Sequence, residues 1–169
     1  RTGVKPIDGD FDIDQGLYFE VAIANHPDPV ALKERVYEAI EGHTKDVQIR
    51  RSCVTVFYQR EGESLYHVDI AVYSDAASND DGKPRLAKGK RNSAADHRFW
   101  EISQPELLEQ TILDRFGGED RKQFRRVVRY LKRWKDVNFE VSGNAAPRGI
   151  GLTVAAFNDF RACFADLLA

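Results

Sequence analysis

The stretch "GDFDIDQGLYFEV", residues 9–21, sets an apolar alternation against a row of aspartates. Phe11, Ile13, Leu17, Phe19, Val21 and Ile23 occupy odd positions, interrupted by Gln15, while Asp10, Asp12 and Asp14 fall on the even side. A strand sends successive side chains to opposite faces, so Asp12 and Asp14 stand side by side while their apolar neighbours enter a core. Two carboxylates that close repel each other unless a cation sits between them. The pattern alone admits two readings, a metal site and an ordinary solvent-facing strand.

A second strand repeats the arrangement. In "LYHVDIAVY", residues 65–73, Tyr66, Val68, Ile70 and Val72 share one face and His67 and Asp69 the other. Aspartate has poor β propensity and needs compensation inside a strand. If the two strands are close in one sheet, Asp12, Asp14 and Asp69 converge. Three carboxylates can hold two magnesium ions, which favour oxygen ligands and substrate phosphates. Paired metals of this kind stabilise the attacking and leaving oxygens of a phosphoryl displacement. The competing reading, that all three simply face water, stays open because D-x-D recurs by chance.

At 169 residues, 42% hydrophobic and 31% charged, the chain has the size of one globular domain or a large piece of one. Its 25 basic residues against 27 acidic ones do not announce a nucleic-acid binder. Cys53 and Cys163 lie in apolar surroundings with neither disulfide nor zinc spacing, which predicts buried packing in a reducing compartment. No apolar run approaches the roughly 20 residues of a membrane span, and the first residues do not read as a signal peptide. The expectation is a soluble cytoplasmic protein.

The pattern predicts an α/β chain without internal repeats. A first strand covers 10–24, bent at Gly16, and a helix follows with Asp28 as cap, Pro29 at its first position and Gly42 past its end. Strands at 47–59 and 65–73 are expected to pair as a hairpin with a longer loop through "REGES". Residues 74–98 read as a polar connector, a flexible solubilising loop whose Lys83, Arg85, Lys88, Lys90 and Arg91 could touch phosphates or a partner. Helices are expected at 104–116, 119–136 and around 150–168.

These residues carry a resemblance. "RTGVKP…GDFDIDQGLYF", followed by "SCVTVFY…YHVDIAVY", resembles the bacterial cyclic GMP-AMP synthase-like nucleotidyltransferases, the CD-NTases, within the polymerase-β-like superfamily. The likeness continues through "WEISQPELL", "VVRYLKRWKD" and "RGIGLT" and so spans nearly the whole chain. It implies that Asp12, Asp14 and Asp69 are the catalytic, metal-binding aspartates. Two departures accompany it. The sequence begins at Arg1, after the position of the family's Gly-Ser turn, and Gly149 stands where relatives often carry a phosphate-binding Ser. The chain also ends soon after "GIGLT", so the expectation is a synthase incomplete at both ends.

The helix "DRKQFRRVVRYLKRWKD" places Phe124, Val127, Val128, Leu131 and Trp134 on an apolar stripe expected to enter the core. Residues 121–135 hold eight basic residues and no acidic one, usually the mark of a solvated face. The resemblance singles out Lys132 as the lysine that reaches the nucleotide triphosphate, a point charge suited to phosphate. It also matches Ser103 and Gly149 to nucleotide-binding positions. Ser103 has a second explanation, a capping box with Glu106 ahead of Pro105. His67 fits a hydrogen-bonding structural role better than acid–base catalysis, and His26, His43 and His97 form no ligand cluster.

The expected fold is therefore an α/β, polymerase-β-like nucleotidyltransferase with a mixed sheet flanked by helices at 1–100, plus a helical second lobe at 101–169. The implied function is synthesis of a cyclic di- or oligonucleotide messenger from ATP and/or GTP in bacterial antiphage signalling. It would use two magnesium ions and release pyrophosphate. Accessory antiphage proteins are expected partners, with no membrane association and no DNA requirement. The rivals are a nucleotidyltransferase making linear products or modifying a small molecule or protein, and an inactive nucleotide-binding module.

Overall fold

The computed structural model describes residues 12–140 and 146–162. They fall into two compact units, one within residues 12–104 and one made from residues 105–140 and 146–162.

The first unit is a six-stranded mixed sheet with a helix on its apolar face. Its elements are β1 (Asp12–Phe19), α1 (Pro29–Ile40), β2 (Asp46–Ile49), β3 (Val54–Arg60), β4 (Glu63–Ser74), β5 (Arg85–Lys88) and β6 (Phe99–Ile102). The strands run in the order β2-β3-β4-β5-β6, with β1 also pairing β4. β1 is parallel to β4, whereas β3 and β5 are antiparallel to it. β3 pairs as far as Ile70 and β5 takes over at Tyr73, so both lie along one edge of β4 and β1 lies along the other.

The helix α1 forms where its punctuation predicts. Asp28 Oδ1 accepts from the Val30 amide at 2.9 Å, Pro29 opens the helix, and Gly42 follows its end with φ +82°. Leu32 and Val36 pack with Val54, Val72 and Ala87 as the core, backed by Phe19, Ile70 and Trp100. Burying such side chains stabilises by about 1.5–3 kcal/mol each. Lys33 is also fully buried. Its ammonium donates to the carbonyls of Arg50, Arg51 and Gly89, at 3.1 Å for Arg51 and 2.6 Å for Gly89, which ties α1 to both loops.

Four sequence expectations need correction in this unit. The strand expected over 10–24 ends at Phe19, whose carbonyl accepts from both Val21 and Asp75, and Gly16 lies inside the paired register opposite Ala71. The run 47–59 is two strands, because Arg50 and Cys53 close a turn that Lys33 holds from below. The longer hairpin loop is a two-residue turn, with Glu61 at φ 54° and Gly62 at φ 87° between the paired Arg60 and Glu63. Positive φ at both central residues is the type I′ pattern that matches strand twist. The polar connector, finally, contains β5 and buries Leu86 and Ala87. Asn79 organises its start, donating to Ser74 Oγ at 2.8 Å and to the carbonyls of Asp75 and Lys83 at 3.0 Å each.

The second unit holds α2 (Pro105–Arg115), α3 (Gly118–Asn138) and α4 (Gly149–Asp159). Phe116, Phe124, Val128 and Ala156 form its core, with Val127, Leu131, Phe157 and Phe160 packed around them. Phe116 stacks on Phe124 with centroids 4.6 Å apart and meets Phe160 edge-on at 5.2 Å. The Arg121 guanidinium donates to Phe116 O at 2.8 Å and closes the α2–α3 corner. Trp134, expected in the core, is half exposed and rests edge-on against Phe139. The last expected helix stops at Asp159, where the Phe160 amide bonds Ala156 O; Cys163 lies outside the described residues.

Candidate active site

The parallel register of β1 and β4 decides where the aspartates stand. Asp12 is opposite His67 and Asp14 is opposite Asp69. Paired positions share a face, so all four side chains lie on one side of the sheet, away from the valines that meet α1. Adjacent strands are about 4.8 Å apart, which makes Asp14 and Asp69 direct neighbours. Asp14 and Asp69 are partnered because the second strand runs parallel beside the first, a pairing that alternation within each strand could not specify.

Each carboxylate has its own surroundings. His67, with a side chain 12% exposed, brings Nε2 to 3.1 Å from Asp12 Oδ1, while Asp12 is 61% exposed. The His67 ring packs against Phe57 at 5.7 Å. Asp69 accepts from Thr55 Oγ1 at 2.5 Å, and Thr55 is fully buried. Cys53 Sγ lies 3.5 Å from the same hydroxyl. Burial pushes the Cys53 thiol up, in keeping with a packed cysteine rather than a reactive one. Sequence reasoning missed Thr55. A β-bulge between Tyr58 and Gln59 shifts the β3–β4 register by one residue, and only that shift puts Thr55 rather than Val54 on the Asp69 side.

Among the described residues, no group of three or more histidine, cysteine, aspartate or glutamate side chains already converges to metal-ligand spacing. The donor set nonetheless suits a hard divalent cation, since Asp12, Asp14 and Asp69 offer only oxygens from one face. A cation would also offset the like charges of Asp14 and Asp69, which are destabilising when directly opposite.

The other expected site residues belong to other elements. Ser103 follows β6, and its amide donates to Pro84 O at 3.4 Å. Helix α2 begins at Pro105, so Gln104, not Ser103, directly precedes its first turn. Lys132 and Gly149 come together within the helical unit, where a Cβ on Gly149 would stand 3.6 Å from Lys132 Cε. Gly149 is the first residue of α4, at a helix end where unpaired amides favour anions.

Residues 1–73 match the model of the nucleotidyltransferase domain of cyclic GMP-AMP synthase DncV-like proteins. Over these residues the chain is similar to a DncV-like nucleotidyltransferase domain. No curated protein sequence matches it. Solved structures extend the likeness to the fold. The Escherichia coli DncV structure with 3'-deoxy GTP bound is 22% identical with a TM-score of 0.63, over 91% of this chain and 41% of that one. The Bradyrhizobium diazoefficiens CD-NTase CdnG in complex with GTP is 14% identical with a TM-score of 0.67, over 92% of this chain and 52% of that one. Vibrio cholerae DncV, solved with the linear intermediate pppA(3',5')pG, is 22% identical with a TM-score of 0.62, over 92% and 43%. The chain thus spans about half or less of the length of these relatives. Its mixed sheet with flanking helices is the DncV-like nucleotidyltransferase fold. Among the described residues no helix is long and apolar enough to cross a membrane.

Proposed function

We propose that this chain carries the nucleotidyl-transfer site of a cyclic di- or oligonucleotide synthase that uses ATP and/or GTP in cytoplasmic antiphage signalling. The observation that carries the reading is the register of Asp14 against Asp69, with Asp12 on the same face. It agrees with the DncV-like domain over residues 1–73 and with solved relatives that hold GTP or a linear dinucleotide.

Asp12, Asp14 and Asp69 would hold two magnesium ions, which supply charge neutralisation at the attacking and leaving oxygens of a phosphoryl displacement. Asp69, tethered through Oδ1 to Thr55, is the carboxylate assigned to orient and deprotonate the attacking ribose hydroxyl. Its fixed orientation supports in-line attack by limiting the geometries that must be searched. Lys132 is assigned to the donor triphosphate as a point charge. Beside it, the α4 amides at Gly149 supply backbone donors in place of a serine hydroxyl. Ser103 is assigned a nucleotide contact. Antiphage proteins encoded alongside are the expected partners, and no DNA is required.

The test is product analysis. The complete protein that contains this chain, incubated with magnesium and radiolabelled ATP and GTP, should yield a phosphatase-resistant product absent from Asp14→Asn. Phosphatase-sensitive oligonucleotides would assign linear synthesis instead, and label transferred to protein or a small acceptor would assign a modifying transferase.

A further inference from the structure

We propose that Thr55 is the positioning residue for Asp69; this rests on the three-aspartate site described above. Thr55 lies opposite Asp69 in the β3–β4 register, flanked along β3 by the buried Val54 and Val56. Valine would fill the same volume with equal β propensity, so what threonine adds is the hydroxyl. A buried hydroxyl costs free energy unless it is hydrogen-bonded, and this one is, at 2.5 Å from Asp69 Oδ1.

The proton count fixes the direction of this hydrogen bond. An ionised carboxylate only accepts, so the single Thr55 proton points to Asp69. Cys53 Sγ lies 3.5 Å from Thr55 Oγ1 and packs against the same hydroxyl. Oδ1 of Asp69 is tied to β3 through that hydroxyl, and the carboxylate cannot rotate freely relative to Asp14 on the neighbouring strand. Thr55 touches neither metal nor nucleotide in this account; it acts through Asp69.

The experiment measures manganese affinity by calorimetry in the 169-residue chain with α,β-methylene-ATP present, for wild type, Thr55→Val, Thr55→Ser and Asp69→Asn. Thermal melts without metal accompany each variant. Loss of a group that orients a metal ligand costs about 10- to 100-fold in metal affinity. Thr55→Val should therefore lose at least tenfold, while Thr55→Ser, which keeps the hydroxyl and drops the methyl, should stay near wild type. Wild-type affinity in Thr55→Val, beside a weakened Asp69→Asn, would overturn the role of Thr55 and leave the three-aspartate site standing. Equal losses in Thr55→Ser and Thr55→Val would assign the effect to packing and overturn it too. Identical manganese binding by wild type and Asp69→Asn would overturn both the positioning role and the site beneath it.

Discussion

Asp14 and Asp69 occupy partnered positions on the parallel strands β1 and β4, so two carboxylates face each other across one strand spacing. Only one of the pair is anchored by a buried group: Asp69 takes the Thr55 hydroxyl, whereas Asp14 is exposed. The two aspartates should therefore respond differently to substitution.

Asp14→Asn removes one of two facing like charges and should leave metal-free stability unchanged or raised. Asp69→Ala strips the buried Thr55 hydroxyl of its acceptor and should cost about 1–3 kcal/mol. Urea melts in chelator, read for both variants, check the asymmetry. A large loss in Asp14→Asn would show that this carboxylate has a structural role.

Lys33 supports the loop that leads into the site. Its ammonium serves the carbonyls of Arg50, Arg51 and Gly89, so Lys33→Met should destabilise by about 2–4 kcal/mol through unpaired buried carbonyls. Burial lowers the lysine from its ordinary 10.5 to about 8. Between those two values the unfolded chain binds more protons than the folded one, so this group makes stability rise with pH across that window. The gap between wild type and Lys33→Met should widen from pH 8 towards pH 10.5 in paired denaturation curves.

Gly89 has φ +128°, and a Cβ there would come to 2.8 Å from Val30 Cγ2 and 3.3 Å from Arg98 Cα. Gly89→Ala combines backbone strain with a clash against α1 and should cost about 1–3 kcal/mol. A thermal melt suffices to check it.

In the helical unit, Lys132→Ala should weaken α,β-methylene-ATP binding by about 1.5–3 kcal/mol, the range for a charge-assisted contact. Arg126, exposed on another side of α3, serves as control, and Arg126→Ala should leave affinity nearly unchanged. Calorimetry on the two variants separates a specific contact from a diffuse basic surface, which would give equal losses.

The faces of β1 and β4 were legible because period-two alternation is strong in both "DIDQGLYF" and "HVDIAVY". The cap at Asp28 was legible for an equally local reason, since its oxygen meets an amide two residues on. What escaped depends on distant partners. A lysine in an amphipathic helix reads as solvated, and Lys33 is buried only because two loops turn carbonyls towards it. The strand β5 is four residues long and gains its identity from pairing with β4 and β6. Thr55 became a partner of Asp69 through a bulge that no local propensity encodes. Trp134 followed the helical period yet stayed half exposed, because periodicity marks a face without showing how far the packing extends along it.

The central claim is that Asp12, Asp14 and Asp69 together hold the divalent cations of nucleotidyl transfer. Crystals of the chain grown with manganese and α,β-methylene-ATP, read by anomalous diffraction, test it most directly. The account predicts manganese peaks within coordinating distance of all three carboxylates, about 2.1 Å being the oxygen distance for the magnesium they replace. Manganese held by the triphosphate or by other residues, with Asp69 outside coordinating distance, would contradict it.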